Sequence, residues 1–444
     1  MKVNIVTTKE AIATHGGNLL LGELLAKTKL AERMNKIASG VISESDITTG
    51  DVALTYVGML AQAQPEFEAA EQFREDEYYA QSLGITRVPS CPTLRQRMDA
   101  VGEGCKEQAI EGIMREGSKL LRAVGAAITP CYEDYAALDV DVSPFDNSGS
   151  KKEGVSWTYK KFDGYAPIFA YLGGEGYCVN AELREGSQHC QKGTPEFLRQ
   201  AVKNAKLATD LRVLARMDSG NDAAENVAVL QGAGAGFIIK RNPRKESLSS
   251  HFAAAQERGR ELPGARDGKR VFVYENEIKL PDCPEAVREV YFVTERKTTA
   301  DGQVLLFPEY ELESFHTSLK TASAEEIQAL YHAHGTSEQF HSEIKTDLDL
   351  ERLPSGKFAT NAVVLAFGVF TYNLLRIIGQ ESLKNNDYPP TAHKVKRRRI
   401  RTVIDRYVTL AVKFVRHAGS VFVKLSETNP WLASFRRMYA SFSA

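Results

Sequence analysis

The order of predicted elements between residues 131 and 242 is the feature that most constrains the fold. Apolar and alternating runs predict strands at 135–142, 154–162, 166–172 and 177–183, the last after a glycine-rich turn. Helical and strand patterns then alternate, with helices near 195–208 and 223–232, a strand running into Asp218 and a strand at 236–240. Strands first and helix–strand alternation afterwards predict an α/β fold built on a mixed sheet.

Aspartates end two of these predicted strands. Asp139 and Asp141 alternate by two and are therefore expected on one side of the first strand, while Asp218 ends a later one. Open α/β sheets place their sites at strand ends, and carboxylate oxygens are the ligands that Mg²⁺ prefers. The alternative is that these aspartates bind backbone amides in turns or cap a helix, although Asp222 fits the capping role better than Asp218.

A third acidic candidate, Glu338, lies in the segment 331–345. Seven residues make nearly two helical turns, so Tyr331, Glu338 and Lys345 are expected near one helix face. An aromatic hydroxyl, a carboxylate and a cation on one face suit metal-assisted chemistry on phosphate. Glu343 is a competing carboxylate on a different face, and an ordinary amphipathic helix is the alternative for the whole segment.

The segment 331–345 is similar to the Y-x2-R-x3-E-x6-K signature of DDE transposases from bacterial insertion sequences. It matches at Tyr331, Glu338 and Lys345, and it departs at His334, where that family usually has arginine. Upstream, Asp141-Val-Ser143 matches the family's D-x-[ST] pattern. The likeness covers most of the chain and is greatest to the thirteen-eighty group.

The resemblance implies an RNase H-like core in which Asp141, Asp218 and Glu338 are catalytic and hold two Mg²⁺ ions, with Mn²⁺ as a substitute. Asp139 is the alternate first ligand. Water would nick a transposon end, and the freed 3′-hydroxyl would then attack target DNA.

The same resemblance implies that Tyr331, His334 and Lys345 contact the DNA backbone beside the scissile bond. Histidine has the charge of arginine only when protonated, and it lacks the guanidinium fork. The departure at His334 therefore predicts a weaker phosphate contact at this position.

The element pattern and the resemblance together predict five regions. These are a helical, DNA-binding region at 1–130, the first part of the catalytic core at 131–242, a β-rich insertion at 243–320, the second part of the core with the Glu338 helix at 321–384, and a basic helical C-terminal region at 385–444. The 120 residues from Asp218 to Glu338 are too many for a simple connection, and alternating runs inside them favour the insertion.

Three basic segments are candidates for DNA contact. The first is a turn and short basic helix near 84–97, which could form a helix-turn-helix or only part of a helical bundle. The second follows the strand at 236–240, where solvated loop charges are an equal alternative, and the third is a dense run in the C-terminal region that begins at Lys394. The residues predicted to bind DNA in these segments are Arg95, Arg97, Lys240, Arg241, Lys396, Arg397, Arg398, Arg399 and Arg401.

The composition says more about the cellular compartment of the protein than about its function. The formal net charge of -1 argues neither for nor against binding of nucleic acid. The six cysteines are scattered without a C-x-x-C pair, which indicates a reduced protein without a structural zinc site. The N-terminus lacks a signal-peptide core, and the apolar run 361–378 is interpreted as a buried core helix rather than a membrane span. A bacterial cytoplasmic, nucleoid-associated protein is expected.

The sequence therefore predicts a Mg²⁺-dependent transposase that cuts and joins double-stranded DNA at the terminal inverted repeats of an insertion sequence. Its partners would be transposon ends and target DNA, with a homodimer in the paired-end complex and no membrane. Two alternatives remain open. One is a catalytically decayed or domesticated DNA-binding protein, and the other is an RNase H-like nuclease without strand transfer.

Overall fold

A computed structural model of the chain describes residues 3–8, 10–43, 45–264, 266–299, 301–389, 395–418 and 420–444. The strands are β1 (Ala11–Ala13), β2 (Tyr135–Val142), β3 (Phe145–Asp146), β4 (Ser156–Trp157), β5 (Asp163–Tyr165), β6 (Ile168–Leu172), β7 (Tyr177–Glu182), β8 (Arg212–Met217), β9 (Gly236–Lys240), β10 (Arg260–Glu261), β11 (Lys269–Ile278), β12 (Val287–Thr298), β13 (Val304–Thr317), β14 (Val412–His417) and β15 (Ser420–Leu425). The α-helices are α1 (Asn18–Ala26), α2 (Leu30–Ala38), α3 (Thr49–Leu60), α4 (Glu77–Leu83), α5 (Cys91–Ala123), α6 (Thr194–Ala208), α7 (Ala224–Gly232), α8 (Leu248–Arg258), α9 (Ala324–His332), α10 (Ser337–Ser342), α11 (Phe358–Glu381), α12 (Ile400–Val403) and α13 (Leu432–Ser443).

A large mixed sheet organises the molecule. In the described part of the chain it has nine strands in the order β10-β11-β12-β13-β9-β8-β2-β6-β7. Strand β8 pairs in parallel with both β2 and β9, whereas β6 pairs antiparallel with β2 and with β7. The predicted mixed α/β sheet is therefore confirmed, and the carboxyl ends of β2, β8 and β9 lie at one edge.

The strand predicted at 154–162 does not join this sheet. Only Ser156 and Trp157 are extended there, as β4, and in the described residues they belong to a small three-stranded sheet ordered β3-β5-β4. Backbone turns explain the difference, because Gly154 and Lys161 both have positive φ angles, of 77° and 65°. A continuous strand cannot pass through two left-handed residues only seven positions apart.

The β-rich insertion continues the large sheet instead of forming a sheet of its own. Its strands β11, β12 and β13 are antiparallel, and the end of β13 pairs with β9 through Phe315 and Lys240. Helix α8, which the sequence pattern did not predict, packs on the outer part through Phe252 against Phe272 and Tyr310. The insertion is thereby hydrogen-bonded directly to the strand that follows the Asp218 loop.

Two long helices, α5 and α11, pack beside β7 at the end of the sheet opposite the insertion. Helix α5 runs over Cys91–Ala123 with a kink at Cys105, so the short basic helix predicted after residue 90 is the first part of a much longer one. Its N-terminus is capped by Ser90, whose hydroxyl accepts a hydrogen bond from the Thr93 amide. Helix α11 has a mean hydropathy of 1.7, long and apolar enough to cross a membrane by composition, but its most apolar stretch is wholly buried. The prediction of a buried core helix is confirmed.

The C-terminal region is only partly helical, which corrects the prediction of a helical tail. Strands β14 and β15 form a hairpin, and β14 pairs with β1 near the start of the chain. Alternation explains this pairing, because Val412 and Phe414 are buried against Ala13 and Tyr78. Lys413, the basic residue between them, lies on the opposite face, so a charged segment can still form a strand.

Candidate active site

Asp141 and Asp218 lie side by side at the carboxyl ends of neighbouring parallel strands. Val140 of β2 is paired with Met217 of β8, so the next residue in each strand is an aspartate. Burial and the negative charge of Asp141 together raise the pKa of Asp218 above its usual value. Two neighbouring carboxylates repel each other, and a cation bound between them would relieve the repulsion.

Asp139 has a different environment although it lies two residues from Asp141. Its carboxylate is almost fully buried and accepts hydrogen bonds from Arg216 Nε at 2.6 Å and Nη2 at 2.7 Å. His334 Nδ1 lies 3.1 Å from the same carboxylate. Despite burial, these positive partners hold the pKa of Asp139 below its usual value. A carboxylate occupied in this way is less available to a metal than Asp141.

His341 contacts Asp141 from the helical segment beside the sheet. Its Nε2 lies 3.3 Å from Asp141 Oδ2, and its Nδ1 lies 3.2 Å from the hydroxyl of Tyr171. Burial lowers the pKa of His341, so the neutral imidazole is favoured. Sequence reasoning missed this residue, whose only signal was a polar side chain three positions after Glu338.

His334 occupies the position where the signature usually has arginine. Burial disfavours its charge, but the contact with Asp139 and the charge of Asp141 outweigh burial and raise the pKa of His334. The surroundings therefore favour the protonated ring more than those of an ordinary histidine do, and a protonated His334 places positive charge against Asp139 as an arginine would. Because His334 is itself buried, it contacts aspartate here and not the solvent-facing surface.

The segment 331–345 is broken into several helical pieces, so the expected single face is wrong. Helix α9 ends at His332, a 3-10 turn covers Ala333–Thr336, α10 covers Ser337–Ser342, and a π-turn covers Glu343–Asp347. The spacing of seven residues therefore does not align Tyr331, Glu338 and Lys345 along one continuous helix.

Glu338 is exposed and lines an open groove of about 570 Å³. The rest of the groove lining is Gln339, Ser342, Glu343, Lys396, Arg397 and Arg399. Among the residues that the structure describes, no three His, Cys, Asp or Glu side chains lie close enough to hold one metal ion. The structure thus brings Asp141 and Asp218 together but leaves Glu338 apart from them, and its role as third ligand stays a prediction.

Glu343, the competitor of Glu338, is engaged in the core. Its buried carboxylate binds Arg376 of α11, the Tyr372 hydroxyl at 3.3 Å and the amide of Ile400 at 3.3 Å. This arrangement joins the segment 331–345 to α11 and α12. A carboxylate held by a buried guanidinium has a structural role in this conformation.

Tyr331 and Lys345 flank the acidic pair. Burial and the charges of Asp218, Glu313 and Asp141 raise the pKa of Tyr331. Lys345 Nζ donates to the carbonyl of Pro144 at 2.6 Å, and burial lowers its pKa. Both side chains are half-buried and therefore keep a surface that a ligand can reach.

The predicted DNA-binding residues fall into two groups. Lys396 and Arg401 are exposed, and within the described ranges neither is ion-paired with an acid. Residues already held by protein partners are Arg95 with Glu68, Arg97 with Ser45, Lys240 with Glu313, Arg241 with Glu246 and Glu289, Arg397 with Gln339, and Arg399 with Asp347. Lys394 lies outside the described residues.

Two of the arginines predicted to bind DNA are stacked on aromatic rings of the protein. Arg398 is buried, and its guanidinium lies over the rings of Tyr388 and Trp431 at 4.6 and 5.1 Å. Arg241 lies 5.0 Å over the ring of Tyr291 inside the insertion. Both guanidinium groups thus have protein partners in this conformation, and their contact with DNA stays a prediction.

Comparison with known protein families identifies the class. The model of the transposase DDE domain group 1 family matches residues 1–444. The chain belongs to this DDE transposase family. No curated protein matches the chain.

Solved structures include one similar chain from a piggyBac transposase synaptic complex with hairpin DNA. The TM-score is 0.36 at 10% sequence identity, over 82% of this chain and 75% of that chain.

Membership of the DDE transposase family carries general properties. The protein is an enzyme of the class that cuts and joins DNA, it binds DNA, and its family uses divalent metal ions. The acidic pair fits such an ion, because it offers two carboxylates at adjacent strand ends, and carboxylate oxygens are the ligands that hard divalent cations prefer.

Proposed function

We propose that this protein cuts and joins DNA at the terminal inverted repeats of a bacterial insertion sequence by two-metal-ion phosphoryl transfer. The observation that carries the proposal is the acidic pair Asp141 and Asp218 at adjacent strand ends in a chain of the DDE transposase family. The order β7-β6-β2-β8-β9, with its first three strands antiparallel and the rest parallel, supports an RNase H-like core.

Asp141, Asp218 and Glu338 would hold two Mg²⁺ ions, with Mn²⁺ as a substitute. When bound, the ions make an attacking water or 3′-hydroxyl more nucleophilic and stabilise the leaving oxygen. Since Glu338 stands apart from the aspartates, its side chain or its helical segment must move toward them. The 3-10 turn and the π-turn on either side of α10 are the places where such a movement could occur.

The surrounding residues have separate tasks. His341 orients the Asp141 carboxylate, and Arg216 with His334 neutralises Asp139 so that the strand carries no further free charge. Tyr331 and Lys345 would position the phosphate backbone at the acidic pair. We further propose a homodimer that pairs two transposon ends, acting at the nucleoid in the bacterial cytoplasm.

The test is divalent-metal-dependent cleavage of the element's own terminal DNA by the wild type and by Asp141→Asn, Asp218→Asn and Glu338→Gln. Loss of cleavage in all three, with DNA binding retained, is expected. Glu343→Gln and Asp139→Asn are the matched controls for the competing carboxylates. Cleavage that survives in Glu338→Gln but not in Glu343→Gln, with the Glu343→Gln variant unfolding like the wild type, would move the third ligand to Glu343.

The separation of Glu338 from the two aspartates is the observation that favours a decayed, DNA-binding protein as the second candidate. Wild-type protein that binds the terminal DNA but never cleaves it would support that candidate. A nuclease without strand transfer would cleave but fail to join a pre-cut 3′-hydroxyl end to a target duplex.

A further inference from the structure

A short hairpin beside the acidic pair has an unusual surface. Strand β4 pairs with β5 through Trp157 and Asp163, and the Lys161 amide closes the turn on the Thr158 carbonyl at 3.0 Å. The φ angle of 65° at Lys161 turns the chain back. We call residues 157–161, Trp-Thr-Tyr-Lys-Lys, the hairpin tip.

Both aromatic side chains of the hairpin tip are exposed. Trp157 is 60% exposed and Tyr159 is 62% exposed, whereas Thr158 between them is buried. Burying a large apolar side chain stabilises a fold by about 1.5–3 kcal/mol, so two rings left in water forgo a sizeable contribution. Such neighbouring exposed rings are typical of a binding surface.

The two lysines of the hairpin tip are available for anions. Lys160 and Lys161 are exposed, and no acidic side chain in the described ranges forms an ion pair with either. Lys160 Nζ lies 5.5 Å from the centre of the Tyr159 ring. Lys160 and Lys161 differ in this respect from most of the arginines predicted to bind DNA, which already have protein partners.

The hairpin tip is anchored at the acidic pair. The Tyr159 hydroxyl donates a hydrogen bond of 3.1 Å to the carbonyl of Val142, the residue that follows Asp141. Burial of the hydroxyl end and the charges of Asp141 and Asp218 raise the pKa of Tyr159 to about 12. The hydroxyl end of Tyr159 therefore lies beside the acidic pair, while much of its ring stays exposed.

We propose that the hairpin tip binds unpaired nucleotides of the DNA strand that enters the acidic pair, with Trp157 and Tyr159 stacking on bases and Lys160 and Lys161 contacting phosphates. The identity of this strand, as the DNA that is to be cut, rests on the proposed function. Exposed rings beside lysines suit single strands, because base faces are accessible only where the bases are unpaired. Stacking is tolerant of sequence, so the hairpin tip orients the strand and does not select its sequence.

Binding can be measured without cleavage, in the absence of divalent metal. Trp157 and Trp431 are the only tryptophans, so Trp431→Phe leaves Trp157 as the single reporter. Titration with a short oligothymidylate should quench its fluorescence, and the matching blunt duplex should not. No quenching by the single strand, or equal quenching by the duplex, would overturn the proposal.

Affinity measured by polarisation of a labelled single strand provides the second readout in an otherwise wild-type chain. We expect Tyr159→Ala and Trp157→Ala each to weaken binding about 5- to 100-fold, the range for loss of one base stack. Tyr159→Phe, which keeps the ring, should retain most of the affinity. Phe307→Ala is the matched control, since Phe307 is 76% exposed on the β12–β13 hairpin. Equal affinity of Tyr159→Ala and wild type would contradict the proposal.

The two proposals can fail separately. A wild-type protein that shows Trp157 quenching by single strands but never cleaves terminal DNA would leave the hairpin-tip proposal standing and remove the enzymatic one. Cleavage that persists unchanged in Trp157→Ala and Tyr159→Ala, with unchanged single-strand affinity, would do the reverse.

Discussion

Asp139 and Asp141 are two residues apart in one strand, yet their surroundings differ in charge. Asp139 faces the guanidinium of Arg216 and the imidazole of His334, whereas Asp141 faces His341 and the carboxylate of Asp218. A buried carboxylate with a bidentate arginine contributes to stability mainly because its loss would leave that arginine unpaired. A carboxylate beside another carboxylate costs stability and suggests a functional role.

The two aspartates should therefore respond to neutralisation by different amounts. Asp139→Asn should lower the free energy of unfolding by about 3–5 kcal/mol, because Arg216 stays buried without a counter-charge. Asp141→Asn should cost less stability, because the loss of its contacts with His341 is partly offset by removal of the repulsion with Asp218, and it should abolish cleavage. Urea unfolding of both variants measures this difference. A larger loss of stability in Asp141→Asn than in Asp139→Asn would contradict these assignments.

His316 connects the insertion to the loop that follows Asp218. Its Nδ1 lies 3.2 Å from Asp222 and its Nε2 lies 3.0 Å from Glu289, whose carboxylate also lies 3.1 Å from Arg241 Nε. Burial and Arg241 disfavour the protonated ring, but the two carboxylates outweigh them and raise the pKa of His316. Only the protonated imidazole can donate from both nitrogens.

This charge makes stability depend on pH. A raised pKa in the folded state contributes stability that is fully present below the unfolded histidine pKa of about 6.5 and is lost as pH rises through the folded value. The melting temperature of the wild type should therefore fall more steeply above about pH 6.5 than that of His316→Gln. His417→Gln, at an exposed position, is the control and should keep the wild-type slope. Parallel curves for wild type and His316→Gln would exclude the charged bridge.

Helix α11 joins the edge of the sheet to α5. Its Asn373 accepts a hydrogen bond from the Cys178 amide at 2.9 Å and donates one to the Cys178 carbonyl at 2.7 Å, which satisfies backbone groups of the edge strand β7. On its other side α11 approaches α5 closely at Gly102, where an added Cβ would lie 2.8 Å from the Thr360 nitrogen. Asn373 thus hinders pairing of another chain with this edge at Cys178.

Two glycines of α5 provide a test of this close approach. Gly102→Ala should destabilise the protein by about 1–3 kcal/mol, because the new methyl group meets the backbone of α11 and the helices must separate. Gly117→Ala is the matched control on the same helix. Its Cβ would lie 3.4 Å from Phe370, and higher helix propensity should make the change neutral or stabilising by up to about 1 kcal/mol. Thermal unfolding compares the two, and equal effects would exclude a backbone contact at Gly102.

The two ends of the chain meet in the whole molecule. Glu10 and Lys413 form an ion pair although they are 403 residues apart, and the amides of Gly16 and Gly17 donate to the carbonyls of Leu410 and Val408. The N-terminal helical region and the C-terminal region, predicted as separate flanks, therefore share a sheet.

Gly17 is the position where this closure can be tested. Its backbone is ordinary, with φ of -70°, but an added Cβ would lie 1.8 Å from the Tyr407 carbonyl oxygen. Gly17→Ala should therefore accelerate amide hydrogen exchange in both 11–26 and 404–415, two segments distant in sequence. Gly40→Ala, which meets open space, should leave exchange unchanged. Acceleration confined to the N-terminal segment would show that the two ends are not coupled.

The sequence by itself determined the local elements and the strand-end aspartates. Strand β2 has the predicted bounds, α6 and α7 start within one residue of their predicted positions, and Asp141 and Asp218 were found because strand pattern and carboxylate position are both local. Periodicity records which face a residue occupies within its own element.

Only the tertiary structure decided which charges neutralise one another. Asp139 is held by Arg216, 77 residues away, Glu343 by Arg376, 33 residues away, and Glu338 is left exposed beside a basic segment. The same holds for the insertion strands that extend the sheet and for the meeting of the two chain ends. Pairing between distant elements depends on the packing of the whole core, and a pattern of a few residues carries no record of it.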